Sequence, residues 1–401
     1  MIKRVEERKG SLLMADNKKQ HFVPKLYLHN FTRDGQFLSL YDIEKCKPVP
    51  DAPYKDQCYK KYYYGRDAVL EKKLSKMETQ WGAVFQKILV EDNLSENDVH
   101  LIRQFVIYQL HRTVASNEFA IKQQEEVLLE QMKMVCVHRG IPFNETVKDI
   151  CRERVRDGLT PAKLLADSDQ YVQYIQDLKI LVIDYQTKSE LITSDVPVIV
   201  INPFCPHTIG YAIMGIIILF PVSSHKLVVL YDSKMYPTYR GTSFAVSSDE
   251  TEVRNLNTLE FISADRLIFA KSEQSFSQFP KVAWEARRQN RMAYTTESLG
   301  DDNKKLIIAQ PRKVIFDCEF SFGKVCHQFR RVPPECREAP SREWDSEWEK
   351  KLDMKEDVML SIMNSAPNLN GHTLLSRKEL RRGYRKMASA AKVYWSQGNH
   401  I

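Results

Sequence analysis

The hydrophobic period of this chain changes at Lys179, and that change limits the folds open to it. Upstream, apolar residues recur at steps of three and four; over residues 179–270 they come in short unbroken runs. Residues 180–185 and 190–193 flank a Thr187-Lys188-Ser189 turn and read as a hairpin. Residues 196–202 continue as an apolar strand, and residues 211–220 and 226–231 form a second pair around Pro221-Val222-Ser223-Ser224. Strands this apolar need cover on both faces, and the upstream helices are the available cover. The expected fold is therefore α+β: an N-terminal helical layer packed on a mixed or antiparallel sheet, followed by a basic helical C-terminal appendage.

The helical half supplies the first candidate residues. Over 67–90, Leu70, Leu74, Met77, Trp81, Val84, Phe85 and Ile88 make one amphipathic stripe with Glu71 and Glu78 along its edge. Ser95 with Asp98 is a capping box that opens a second helix, whose buried face runs through Val99, Ile102, Phe105, Val106 and Leu110. Gln109 falls inside that face and Arg112 at its edge. A buried donor left without an acceptor costs about 1 to 3 kcal/mol, so both need partners, and Glu71 or Glu78 is the expected carboxylate. Two readings stay open: a structural network that ties two helices, or the floor of an active or binding site. A third helix over 117–137 stops at Arg139-Gly140-Ile141-Pro142, and residues 145–157 and 161–178 are further helical stretches.

Near the N-terminus, His21-Phe22-Val23-Pro24 leaves a histidine at the joint just ahead of a helix start, because Pro24 suits a first turn where its missing N–H is not needed. Asp34-Gly35 then turns the chain into an alternating strand over 36–43, and the proline- and lysine-rich residues 46–56 read as a loop. In this motif the chain resembles a widespread, largely bacterial family of unknown function whose hallmark is HFVP near the N-terminus, and the likeness runs to about residue 270. The family's serine-aspartate-proline element after a strand has a counterpart in Ser194-Asp195-Val196-Pro197. The resemblance implies a bacterial protein. The expected function is a cytosolic enzyme or effector acting on nucleic acid; a role in defence against phage or mobile elements is an expectation about the family.

Asp195 interrupts an apolar run, and Pro197 cannot donate to a strand ladder, so a bulge or sheet edge is expected there. Such a bulge re-aims a side chain; the alternative is a turn aspartate that satisfies local N–H groups. Asn257 reads as the cap of an amphipathic segment over 259–270. The candidate catalytic set is thus His21, Glu78, Gln109, Arg112 and Asp195, drawn from separate segments. If these converge, histidine with aspartate serves as a general base and arginine holds a phosphate or carboxylate, a fit to phosphodiester cleavage. The rival is a non-catalytic protein-binding module whose polar network is architectural.

The net charge of +7 is unevenly placed: residues 1–200 hold 30 basic and 29 acidic groups, whereas residues 376–400 hold seven basic groups and one acid. Ser376 and Glu379 make a capping box, and Leu380, Tyr384, Met387, Ala391, Tyr394 and Trp395 make one stripe. Arg377, Lys378, Arg381, Arg382, Arg385 and Lys386 then face outward as candidate nucleic-acid contacts, with an acidic lipid surface, an acidic protein partner or a merely solvated face as the alternatives. Eight cysteines without a C-x-x-C pair suggest reduced cytosolic thiols. Cys318, Cys326, His327 and Cys336 gather but match no common zinc spacing, so no metal ligand is assigned. No nucleotide-binding glycine loop, H-E-x-x-H or G-x-S-x-G occurs, and the cofactor is left unassigned. The longest apolar stretch, 209–220, is broken by Gly210 and Gly215 and is too short to span a bilayer. Residues 1–13 read as an upstream extension with translation starting at Met14, residues 14–330 as the family-like domain, and residues 331–401 as linker and appendage.

Overall fold

The computed structural model of the chain describes residues 18–66, 68–206, 210–276, 279, 281–289, 293–298, 305–310, 319–330 and 342. The expectations for residues 1–13, for the basic helix of 376–400 with its six named cations, and for Cys318 and Cys336 lie outside these residues. In chain order the elements begin with β1 (Lys19–His21), α1 (Lys25–His29), β2 (Phe37–Asp42), β3 (Lys47–Pro53) and β4 (Tyr59–Lys61). The helical layer is α2 (Ala68–Val90), α3 (Glu96–Arg112), α4 (Val114–Arg139), α5 (Glu145–Gly158) and α6 (Pro161–Ala166). Then come β5 (Lys179–Tyr185), β6 (Thr193–Ser194), β7 (Ile199–Ile201), β8 (Ile217–Pro221), β9 (Lys226–Tyr231), β10 (Phe244–Ser247), α7 (Glu250–Ser263) and β11 (Leu267–Ala270). α8 (Lys281–Gln289) and a hairpin of β12 (Ala293–Ser298) with β13 (Lys305–Gln310) follow.

The larger sheet has the order β10-β5-β9-β8-β7 and is antiparallel except for the β10–β5 pair, so it is mixed. Side chains alternate across it with a period of two. Ile180, Val182, Val228 and Leu230 join the core that holds Trp81 and Phe105, whereas Leu181, Ile183, Leu227 and Val229 join the core that holds Leu256 and Leu259. The N-terminal helices therefore cover one face, and α7 with Phe320 and Phe322 covers the other. Each fully buried apolar side chain contributes about 1.5 to 3 kcal/mol, which is why both layers hold. Phe85, Phe105 and Phe220 meet at the first interface, with ring centroids 4.8 Å apart for Phe85–Phe105 and 5.2 Å for Phe105–Phe220.

The capping box of α3 forms as its spacing requires: Asp98 N donates to Ser95 Oγ at 3.2 Å and Ser95 N to Asp98 Oδ2 at 2.8 Å. α4 ends where Gly140 takes a left-handed φ of 65°. The β8–β9 hairpin also forms. The hairpin expected around residues 187–189 does not: β5 lies between β9 and β10, while residues 193 and 194 pair with β11 in another sheet. A strand buried on both faces selects partners by whole-face packing, so the near neighbour in sequence loses.

A smaller sheet has the order β3-β2-β11-β6. Residues 47–53, expected as a loop, form its edge strand, where Pro48, Pro50 and Pro53 cost no ladder bond that an interior strand would need. Residues 259–270, expected as one amphipathic segment, divide into the end of α7 and β11. Asn257 sits inside α7 and not at its start, which Asp249 caps by accepting the N–H groups of Thr251 and Glu252. The Asn257 amide instead accepts from Ile192 N at 3.1 Å and donates to Glu190 O at 2.9 Å, fixing the segment that crosses between sheets.

Candidate functional site

Four of the five candidate residues meet where β1 runs into α1. Pro24 is the N-cap of α1, with φ −59° and ψ 139°, so the chain leaves β1 in extended form and the carbonyls of His21 and Phe22 have no helical partner. α3 supplies the donors. Arg112 Nη2 donates to His21 O at 2.6 Å, and Gln109 Nε2, one turn earlier, donates to Phe22 O at 3.0 Å. Both side chains are almost wholly buried, at 2% and 1% exposed.

Glu78 of α2 is the carboxylate that joins them, accepting from Arg112 Nη2 at 2.9 Å. Glu71, the other carboxylate in prospect, accepts from Gln20 Nε2 at 3.2 Å. Arg112 Nε donates to the Tyr64 hydroxyl at 3.3 Å, and that hydroxyl donates in turn to His21 O at 3.2 Å. Burial works against the guanidinium charge, but Tyr64 and Glu78 outweigh it and raise the Arg112 pKa. Arg112 Nη1 and Gln109 Oε1 have no hydrogen-bond partner among the described residues.

The His21 ring points the other way from its carbonyl. Its Nε2–H donates to Lys55 O at 3.0 Å, and the ring lies 5.6 Å from that of Tyr59. A carbonyl can only accept, so this bond leaves the lone pair of the neutral ring on Nδ1. Burial lowers the His21 pKa, with the charges of Lys25 and Arg112 acting the same way, so the ring is neutral at pH 7.

Asp195 is not part of this cluster; its carboxylate is used in the turn between α7 and β11. Oδ1 accepts from Asp265 N at 2.8 Å, and Oδ2 accepts from Arg266 N at 2.9 Å and Leu267 N at 3.0 Å. The aspartate stands just after β6, at the sheet edge that Pro197 led us to expect. Burial and the neighbouring Asp265 charge push its carboxyl up to about 6, against the pull of the three N–H donors. The same turn is held from outside by Arg287 of α8, whose guanidinium donates to the carbonyls of Phe261, Ala264 and Asp265.

Several polar residues that the sequence did not single out complete the joint. Tyr27, wholly buried on α1, donates to Pro221 O at 2.6 Å and shares a 2.8 Å bond with Thr193 Oγ1, linking α1 to both sheets. Glu260 of α7 is 2% exposed beside Asp195, and burial pushes its carboxyl well above the usual range. With Asn257 and apolar neighbours including Leu191 and Leu256 it lines a cavity of about 10 Å³, the volume of one water position. His111, next to Arg112 but turned toward the helix side, bonds Ser168 Oγ and the Tyr211 hydroxyl, each at 3.0 Å, and burial drops its pKa to about 4. Glu260, between Leu259 and Phe261, carried the signal that did expose Gln109, a polar residue among apolar ones, whereas His111, between Leu110 and Arg112, did not.

Among the described residues no group of three His, Cys, Asp or Glu side chains is placed to hold a metal ion, and no helix is long and apolar enough to cross a membrane. Cys326 is partly buried and His327 exposed. Asp195 thus binds main chain and Glu78 binds Arg112, while the His21 ring, bonded to Lys55 O through Nε2, keeps a lone pair on Nδ1 for acid–base work.

No curated protein and no solved structure matches the chain. Residues 19–274 match the model of a family described as a protein of unknown function (DUF4238), a span that opens at β1 and closes just past β11, so that it contains both the clamp on His21 and Phe22 and the Asp195 turn. More than half of the chain is covered, and the protein belongs to this family of unknown function.

Proposed function

We propose that this chain is a nucleic-acid-binding effector in which the family domain is a rigid platform and the hold on the polyanion comes from residues 376–400. One observation carries this reading, the partition of charge. Residues 19–274 hold 31 basic and 33 acidic groups, whereas residues 376–400 hold seven basic groups and one acid. A domain with no cationic excess does not gather phosphates, while seven clustered cations release counterions on binding them. In this reading residues 14–330 form the platform and residues 331–401 the linker and grip. Gln109 and Asp195 are architectural because they bond main chain, and Arg112 and Glu78 because they pair with each other while Arg112 also holds His21 O.

Fluorescence anisotropy of the full chain with a labelled DNA duplex tests it. Binding is expected to weaken with salt at a log–log slope of up to about −6 if all seven cations meet phosphates. A variant with Arg381, Arg382, Arg385 and Lys386 changed to Glu is expected to lose binding. Unchanged affinity in that variant removes the reading, and binding of an acidic protein but no nucleic acid replaces it.

The open Nδ1 of His21 favours a second reading, phosphodiester cleavage. Glu78 and Arg112 lie close enough to bear on the ring electrostatically, and a neutral imidazole is the form that accepts a proton. A folded His21→Ala variant that no longer cleaves a labelled oligonucleotide supports this, and undiminished cleavage excludes it.

A further inference from the structure

Arg342 lies 68 residues beyond the family match, yet its side chain is set into the matched domain and is only 6% exposed. Its Nε donates to Asp177 Oδ2 at 2.6 Å and its Nη2 to Asp177 Oδ1 at 3.1 Å, the two-pronged geometry that a planar guanidinium makes with a carboxylate. The remaining donors meet main-chain carbonyls: Nη1 meets Ile213 O at 2.9 Å, and Nη2 meets Tyr174 O at 2.6 Å and Tyr211 O at 2.9 Å. Every guanidinium nitrogen is therefore used. The main chain is read as well, because Arg342 N donates to Ala212 O at 2.7 Å.

All of the acceptors belong to the family domain, and they come from two segments, around residues 174–177 and 211–213. Three carbonyls converging beside one carboxylate form a site selective for a fork of N–H donors, which a lysine ammonium cannot fill. The pocket is firmly backed: Tyr211 is tied through its hydroxyl to His111 and packs against Tyr171, which packs against Tyr174. Its mouth is open to solvent, since the Asp177 side chain is 52% exposed.

We propose that this is an arginine-peptide recognition site of the family domain, filled in this chain by its own Arg342. Arg342 is thereby an internal ligand of the domain. An arginine in another peptide competes for the same acceptors. The proposal does not depend on nucleic-acid binding, and its test contains none.

The test uses the full-length R342A chain and a fluorescein-labelled peptide spanning residues 339–347. Saturable binding is expected, at least about tenfold tighter than to the wild-type chain, where Arg342 already occupies the site. A peptide with lysine in place of Arg342 is expected to bind at least about tenfold more weakly, and R342A/D177A is expected not to bind. Failure of a folded R342A chain to bind, or equal affinity for the lysine peptide, overturns the proposal. Should R342A not fold, hydrogen exchange on the wild-type chain decides. The Arg342 amide is expected to be protected and to lose protection in D177N while β5 and β9 keep theirs; an unprotected wild-type amide overturns the proposal.

Discussion

Arg112→Ala is expected to lower the unfolding free energy by about 3 kcal/mol, the scale of breaking a buried ion pair from one side. The guanidinium reaches the Glu78 carboxylate, the Tyr64 hydroxyl and the main-chain carbonyl of His21. Truncation leaves the Glu78 carboxylate without its cation and His21 O with the Tyr64 hydroxyl as its remaining donor. Two features limit the loss: Glu78 keeps 25% exposure, and Arg112 Nη1 has no acceptor among the described residues. Arg112→Lys is expected to recover only part of it: one nitrogen, Nη2, meets both Glu78 and His21 O, but a lone ammonium has no second nitrogen to donate to the Tyr64 hydroxyl as Nε does. Urea unfolding at pH 7 measures both variants.

Asp195→Ala is expected to cost at least about 3 kcal/mol, because it orphans the N–H groups of Asp265, Arg266 and Leu267 at the start of a central strand. Asp195→Asn separates the hydrogen bonds from the charge. In the folded chain the Asp195 carboxyl is raised to about 6 from an ordinary value of 3.8, so the folded state binds the proton more tightly than the unfolded one. Its contribution is fully present below about pH 4 and is lost as the pH rises through 6. A shift of this size corresponds to a fall of up to about 3 kcal/mol across that window. Glu260, also raised by burial, acts in the same direction. Stability against pH from 4 to 7 is therefore expected to fall less steeply in Asp195→Asn than in the wild type, and parallel curves would place the titration elsewhere.

The parts of this fold legible in the sequence are those whose signal is local and periodic. The Leu70-to-Ile88 stripe fixes α2, Ser95 with Asp98 fixes the start of α3, and the apolar run after Pro221 closes a hairpin. Gln109 and Arg112 stood out because a polar side chain on an apolar face needs a partner, and Glu78 was one of two carboxylates in reach. What the sequence hid is that the main partners are carbonyls of the HFVP segment itself. Every residue carries a carbonyl, so composition cannot mark the ones left unpaired. Asp195 was legible as an interruption beside Pro197, and both a re-aimed side chain and a turn aspartate fitted that pattern. The choice was made by the α7–β11 turn, some 70 residues away. The same non-locality defeated the hairpin at residues 187–189, where β5 takes β9 and β10 as partners.

The account holds that α3 grips the backbone of the hallmark motif, while the imidazole of His21 adds little to the fold. The direct measurement is the urea-unfolding free energy of His21→Ala beside that of Arg112→Ala. The ring makes one hydrogen bond, to Lys55 O, and a half-buried ring contact, so a loss of about 1 kcal/mol or less is expected against about 3 kcal/mol for the arginine. A larger loss for His21→Ala than for Arg112→Ala, or an Arg112→Ala chain as stable as the wild type, contradicts it.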